Sequence, residues 1–220
     1  MIIRELTSPG EFESCLELQR EGFGWNNLEL MPMRFFVVSR HIGGLVLGAF
    51  DNDRLVGFLS SIPGIRNGRP YWHSHMLAVT TDLRDAGVGT RLKSAQREHA
   101  LQRGIRLIEW TFDPLVSRNA YLNIAKLGVI VRRYYSDFYG PGSDRLVAEW
   151  WLDRPRDAMK GEQRRVRIPE DDGTGDARLR VREAFLANLR DDFFVAGFER
   201  SGEAGDYVLI RGASRVDLAD

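Results

Sequence analysis

The sequence predicts an α/β fold, and three observations carry that prediction. Apolar residues recur at helical spacing in two early stretches, then run through three successive strand-like stretches. A strand, a glycine-bearing loop and a helix follow in one run over residues 77–92. With 220 residues, 43% hydrophobic and 28% charged, the chain suits one sizeable domain, alone or with a smaller partner. At that length roughly 70% of the unfolded surface can be buried, so no disulfide or metal staple is needed.

Taken in order, Thr7-Ser8-Pro9 with Glu11, Glu13 and Glu17 predicts a helix start: a hydroxyl cap, Pro in the first turn and acids at the positive dipole end. Phe12, Cys15, Leu16 and Gln19 share its inner face. After a loop over 22–30 comes a second helix near 33–42. Strands are predicted at 44–50 and 54–62, joined by the Asx turn Asp51-Asn52-Asp53, and at 71–79 after a loop over 63–70. The first eighty residues thus read α, α, β, β, β.

A turn-rich connection over 80–89 precedes a helix at 90–103, closed by Gly104 in a left-handed C′ position. A strand at 105–112 and a helix from Ser117 to Leu127, closed by Gly128, come next. The aromatic segment 134–140 leads to a strand at 146–152. Asp153-Arg154-Pro155-Arg156-Asp157 reads as a boundary between a main domain, 1–152, and a small C-terminal α/β extension, 153–220. The extension holds a strand at 165–168, an acidic, glycine-containing loop over 169–176, a helix at 178–190 and strands at 194–198 and 206–211.

Charge and cysteine content exclude several classes. Thirty-one basic side chains balance 31 acidic ones, whereas nucleic-acid binding through phosphates goes with a basic surplus. Of the basic residues 28 are Arg, and only Lys93, Lys126 and Lys160 are Lys. One cysteine, Cys15, can form neither an internal disulfide nor a thiolate metal site. The opening Met1-Ile2-Ile3-Arg4-Glu5 carries early charges, and no window has the length and apolarity of a membrane span. A cytoplasmic protein with no metal, membrane or nucleic-acid partner is expected.

The chemistry concentrates in Leu77-Ala78-Val79, then Arg84-Asp85-Ala86-Gly87-Val88-Gly89-Thr90. Amides at a helix start lack intrahelical partners and converge on an anion, and glycine lets a phosphate approach. The run is not a P-loop, because no Gly-Lys-Ser/Thr follows. It fails the dinucleotide fingerprint too, whose third Gly falls on Leu92. On residues alone, a left-handed turn accounts for the glycines as well as a phosphate cradle does. Arg84, Arg91, Lys93 and Arg97 would supply a local basic patch for a small anion.

Arg84-x-x-Gly87-x-Gly89 after a strand ending Leu77-Ala78-Val79 resembles the acyl-CoA motif of the GNAT acyltransferase superfamily, and the element order resembles its fold over roughly residues 1–150. Ile108-Glu109-Trp110-Thr111-Phe112-Asp113-Pro114-Leu115 and Asn119-Ala120-Tyr121-Leu122-Asn123-Ile124-Ala125-Lys126-Leu127-Gly128 are similar to a poorly characterised subgroup. The resemblance implies a mixed, mostly antiparallel sheet flanked by helices. It also implies acetyl-CoA or another acyl-CoA as co-substrate. Residues 77–79 and 84–90, with Asn119 and Asn123, would contact it, and an oxyanion donor would come from the backbone near Met76 or Leu77. One departure stands out: the Tyr that many members carry four residues before the helix-ending Gly is Ile124 here. Tyr121, Tyr135 and Tyr139 can replace it as proton donor to the leaving thiolate, with Tyr135 and Tyr139 better placed.

Acyl transfer to an amine also needs a base. His73, His75 and Leu77 alternate onto one strand face, and a histidine titrates in the useful range. His75 is the preferred base and Glu109 the second candidate. Asp113, at a strand end before Pro114, would hold a cationic acceptor, whereas Arg145, Arg66 or Arg69 would hold a carboxylate. The expected function is transfer of an acetyl or other short acyl group to a primary amine of a small or amino-acid-like acceptor. The alternative is an acyl-CoA-binding module without turnover. A homodimer agrees with the habit of the superfamily.

Overall fold

A computed structural model describes residues 1–154, 160–169 and 176–212. Most of the expected boundary segment and of the acidic, glycine-containing loop lies outside the described residues. The fold class is the predicted one, an open, mixed and mostly antiparallel sheet flanked by helices. The elements divide between two compact units, Met1–Ile108 and Glu109–Asp220.

The first unit contains β1 (Ile2–Glu5), α1 (Pro9–Phe23), α2 (Met33–His41), β2 (Leu45–Asp51), β3 (Arg54–Arg66), β4 (Arg69–Val79) and α3 (Val88–Gln102). Its strands run in the order β1-β2-β3-β4, each pair antiparallel. Ser8 caps α1 from its side chain while Glu11 reaches back to the Ser8 amide, and Pro9 fills the first turn, as the sequence predicts. One face of the sheet carries α1 and α2 over a core of Phe12, Cys15, Leu18, Phe36, Phe58 and Met76. Phe36 sits between Phe12 and Phe58 at ring distances of 5.9 and 5.8 Å. The other face carries α3, whose Val88 and Leu92 lie against the bare Cα of Gly57.

Two features of this unit depart from expectation. Strand β1 was not anticipated; it is only four residues long and gains its place by pairing with β2, Ile2 opposite Phe50. The predicted loop over 63–70 is instead the tip of a hairpin, because β3 and β4 stay paired out to Arg66 and Arg69. Asn67 and Gly68 turn it with φ of +47° and +73°, the left-handed pair that a two-residue hairpin loop favours.

The second unit contains most of β5 (Leu107–Phe112), then α4 (Ser117–Ala120) continuing into a π turn (Tyr121–Lys126), β6 (Ile130–Tyr135), β7 (Arg145–Trp151), β8 (Gln163–Ile168), α5 (Asp176–Arg190), β9 (Phe193–Ser201) and β10 (Ala204–Arg211). Its strand order is β5-β7-β6-β9-β10-β8. Strand β6 was unforeseen, since Arg132 and Arg133 interrupt its apolar pattern. The C-terminal strands join the sheet through β9, where Val195 faces Val131 of β6. Helix α5 packs on β6, β8 and β9. Its Phe185 stacks on Tyr134 at 5.6 Å and meets Tyr207 edge-on at 5.0 Å. The buried Tyr207 hydroxyl donates to the Pro114 carbonyl at 2.7 Å.

Gly44 offers a sharp test of packing in the first unit. A Cβ there would lie 2.3 Å from the Ser61 carbonyl oxygen and 2.7 Å from that of Ser39, so backbone must move on both sides. Gly44→Ala should lower unfolding free energy by about 3 kcal/mol, at the upper end of what overpacking costs. Chemical denaturation with an unchanged midpoint would contradict that.

Candidate active site

The ladder between β3 and β4 carries one extra residue. Ser60 pairs with Met76 and Ser61 pairs with Ser74, leaving His75 as the residue without a cross-strand partner. This bulge reverses the face alternation. Ser74 turns toward α3, where it receives a hydrogen bond from Lys93 Nζ at 2.9 Å, whereas Met76 enters the core beneath α1 and α2. His73 and Leu77, expected to share a face, therefore lie on opposite faces. His73 and His75 do stay together, with ring centroids 6.2 Å apart, and Phe35 of α2 lies 5.2 Å from His75.

Burial disfavours the charged form of both imidazoles. His75 has its Nε2 buried without a hydrogen-bond partner among the described residues, and desolvation lowers its pKa. Burial, followed by the nearby His75, Lys93 and Arg66, pushes His73 down to about 4. Lys93 itself is buried, and desolvation holds its amine well below the ordinary lysine range. One turn further along α3, Gln96 Nε2 donates to Ser61 Oγ at 2.7 Å, while Ser39 of α2 donates to the Ser61 carbonyl at 2.8 Å. Polar ties thus fix the bulge from both faces of the sheet.

Beyond Val79 the chain makes a short 3-10 turn, Thr81–Leu83, and reaches α3 through Asp85 and Gly87, with φ of +64° and +81°. The loop is braced on α1: Glu21 accepts from the Thr81 amide at 2.7 Å and its hydroxyl at 2.8 Å. Arg84 donates to the Gly22 carbonyl at 3.1 Å. Gly87 is the N-cap of α3 and supplies no side-chain cap; the space where its Cβ would stand is open. A helix start without a side-chain cap, at the positive end of a helix dipole, suits an anion.

The acetyltransferase (GNAT) family model matches residues 12–128, more than half of the chain. The chain belongs to the GNAT acetyltransferase family. Solved structures agree in fold. An aminoglycoside 6'-acetyltransferase type Ii is 22% identical with a TM-score of 0.58, covering 70% of this chain and 100% of its own. The yncA protein of Salmonella typhimurium, solved with its cofactor acetyl-CoA, is 17% identical with a TM-score of 0.59, covering 71% and 98%. The ribosomal-protein-S18-alanine N-acetyltransferase of Escherichia coli is 14% identical with a TM-score of 0.55, covering 70% and 95%. Comparison with curated protein sequences returns no match.

In this GNAT chain the basic patch expected around the loop is largely committed to internal bonds. Arg84 braces α1, Arg91 donates to the Met1 carbonyl at 2.9 Å, and Lys93 is buried against Ser74. Cys15 accords with its structural reading: burial pushes its thiol up to about 12.

Arg66 and Arg69 pair at the tip of the β3–β4 hairpin in the first unit, and the other expected residues fall in the second. Asn119 is half-buried on α4, while Asn123 and Ile124 are buried in the π turn. Tyr135 and Tyr139 are exposed and each touches Phe138, at 5.5 and 4.7 Å. Asp113 and Arg145, expected to serve acceptors of opposite charge, are neighbours: Arg145 Nη1 lies 3.7 Å from Asp113 Oδ2, and Arg178 of α5 lies closer at 2.9 Å. Asp113 also accepts from the Leu115 amide at 2.8 Å. Glu109, the second base candidate, is buried and pairs with Arg133 at 2.6 Å. Lys93 was missed as a site-supporting residue, although it shares a helical stripe with Gln96 and Ala100 and this spacing was the available signal.

The His73 shift sets a sign for stability. Between about 4 and the ordinary 6.5 the native chain binds fewer protons than the unfolded one, so stability is full above that window and falls as pH drops through it. His73→Asn should flatten the fall in melting temperature across this range. A slope equal to wild type would contradict the assignment.

Proposed function

We propose that the chain is an N-acyltransferase that moves an acetyl or other short acyl group from acyl-CoA to a primary amine of a small or amino-acid-like acceptor. The observation that carries this is the bulge at His75, on the strand that leads directly to an uncapped helix N-terminus. Residues 1–152 form the proposed acyltransferase domain, extended by 153–220, and a cytoplasmic location is part of the same proposal.

In this reading the α3 amides of Val88, Gly89 and Thr90 hold the CoA diphosphate, and Leu77, Ala78 and Val79 run along the pantetheine arm. Asn119 and Asn123 complete the CoA contacts. The neutral amine attacks the thioester carbonyl carbon and its proton passes to His75, whose Nε2 has no competing partner among the described residues. A backbone N–H near Met76 or Leu77, next to the bulged His75, takes the developing oxyanion. The carbon–sulfur bond breaks and the thiolate takes a proton from Tyr135 or Tyr139. Asp113 and Arg145 remain the proposed acceptor contacts, acting through their shared cluster. A second reading, binding without turnover, draws on Ile124, which is fully buried and has no proton to give.

Thermal shift with acetyl-CoA, succinyl-CoA and free CoA tests the donor, and thiol release with lysine methyl ester, glycinamide and phenethylamine tests turnover. Stabilisation without thiol release favours the second reading, and stabilisation by none of the three removes both. Gly87→Val, at a left-handed position that disfavours a β-branched residue by about 1–2 kcal/mol, should abolish the shift. His75→Ala should lower kcat about 10²-fold and leave the CoA shift intact. Unchanged kcat removes His75 as base.

A further inference from the structure

The β6–β7 hairpin displays Tyr135, Phe138 and Tyr139 to solvent, 42%, 44% and 63% exposed. Core burial therefore does not hold its tip, and polar contacts do. The Asp144 carboxylate is fully buried and accepts from the Tyr134 hydroxyl at 2.5 Å, the Asp137 amide at 3.0 Å, and Arg182 through Nε at 2.9 Å and Nη2 at 2.6 Å. The same Arg182 Nη2 lies 3.0 Å from Asp137 Oδ1, which also accepts from the Gly142 amide at 2.7 Å. One guanidinium therefore bridges two carboxylates across the neck of the hairpin. Asp137 sits at φ +52°, a conformation that an Asp side chain sustains through local hydrogen bonds.

Arg182 comes from α5, in the C-terminal extension. One turn earlier on the same helix, Arg178 grips Asp113 at the end of β5. Both arginines are aimed by a helix that Phe185 anchors against Tyr134 and Tyr207. Removing Arg182 leaves Asp137 and Asp144 facing each other without a cation between them.

We propose that α5 is a brace for the reaction: Arg182 is a positioning residue that holds the β6–β7 hairpin, and with it Tyr135 and Tyr139, in the form that turnover requires. The turnover half rests on the acyltransferase reading; the brace itself does not.

The test uses the full-length chain and two readouts. Hydrogen exchange of residues 136–145 reports the brace, and thiol release from acetyl-CoA with the three amines above reports its purpose. Arg182→Gln should raise exchange in that segment tenfold or more and lower kcat tenfold or more, with KM for acetyl-CoA within twofold. Arg182→Lys, which keeps the charge but not the fork, should recover part of both losses. Unchanged exchange in Arg182→Gln overturns the brace. Raised exchange with kcat within twofold, or equal losses in kcat and acetyl-CoA affinity, overturns the role in turnover. If Arg182→Gln does not fold, Tyr134→Phe should give the same pattern at smaller size, and unchanged exchange there also overturns the brace. A wild-type chain that releases no thiol with any of the amines fails the acyltransferase reading and the turnover half, while exchange still decides the brace.

Discussion

One extra residue in the β3–β4 ladder organises the first unit. A regular strand would send Ser74 and Met76 to the same side; with His75 inserted, they face opposite helices. The core under α1 and α2 keeps its apolar filling, and α3 gains a polar handle on β4 through Lys93. The insertion also brings two histidines together where burial disfavours the charged form of both. Removing the bulge would change which side chains each helix meets.

The same device recurs in the second unit. Consecutive strand residues point to opposite faces, yet Arg132 and Arg133 both reach Glu149, because the β6–β7 register slips between Val131 and Arg133. Glu109 joins through Arg133, giving two buried carboxylates matched by two guanidiniums. Such a group is costly to break at one member, since a buried charge is left without its partner. It holds three neighbouring strands in fixed order, while α5 grips the hairpin from the outside.

Most of the fold was legible in local pattern. The Ser8-Pro9-Glu11 start, the order of helices and strands and the glycine-marked opening of α3 all rest on residues close in sequence. What escaped was set by partners. Strand β1 is too short to announce itself, and β6 hides its strand character behind two arginines whose carboxylates lie elsewhere in the chain. The Asn67-Gly68 turn was visible but was read as part of a loop. The bulge left no trace, since Tyr71-Trp72-His73-Ser74-His75-Met76 looks regular and only the register with β3 reveals the extra residue. For the site, the loop glycines were readable because backbone conformation selects them. The roles of Arg84 and Lys93 were not, because a basic side chain near a proposed phosphate site reads the same whether it points outward or inward.

The burial of Lys93 bears on self-protection. A guanidinium stays protonated at neutral pH, whereas a lysine amine freed of its proton is a nucleophile for any thioester. This GNAT chain has 28 arginines and three lysines, and one of the three is sealed beneath the sheet. Its surface therefore offers an electrophilic acyl donor few amines, Lys126 and Lys160 beside the N-terminus. A catalyst built in this way has little of itself to modify.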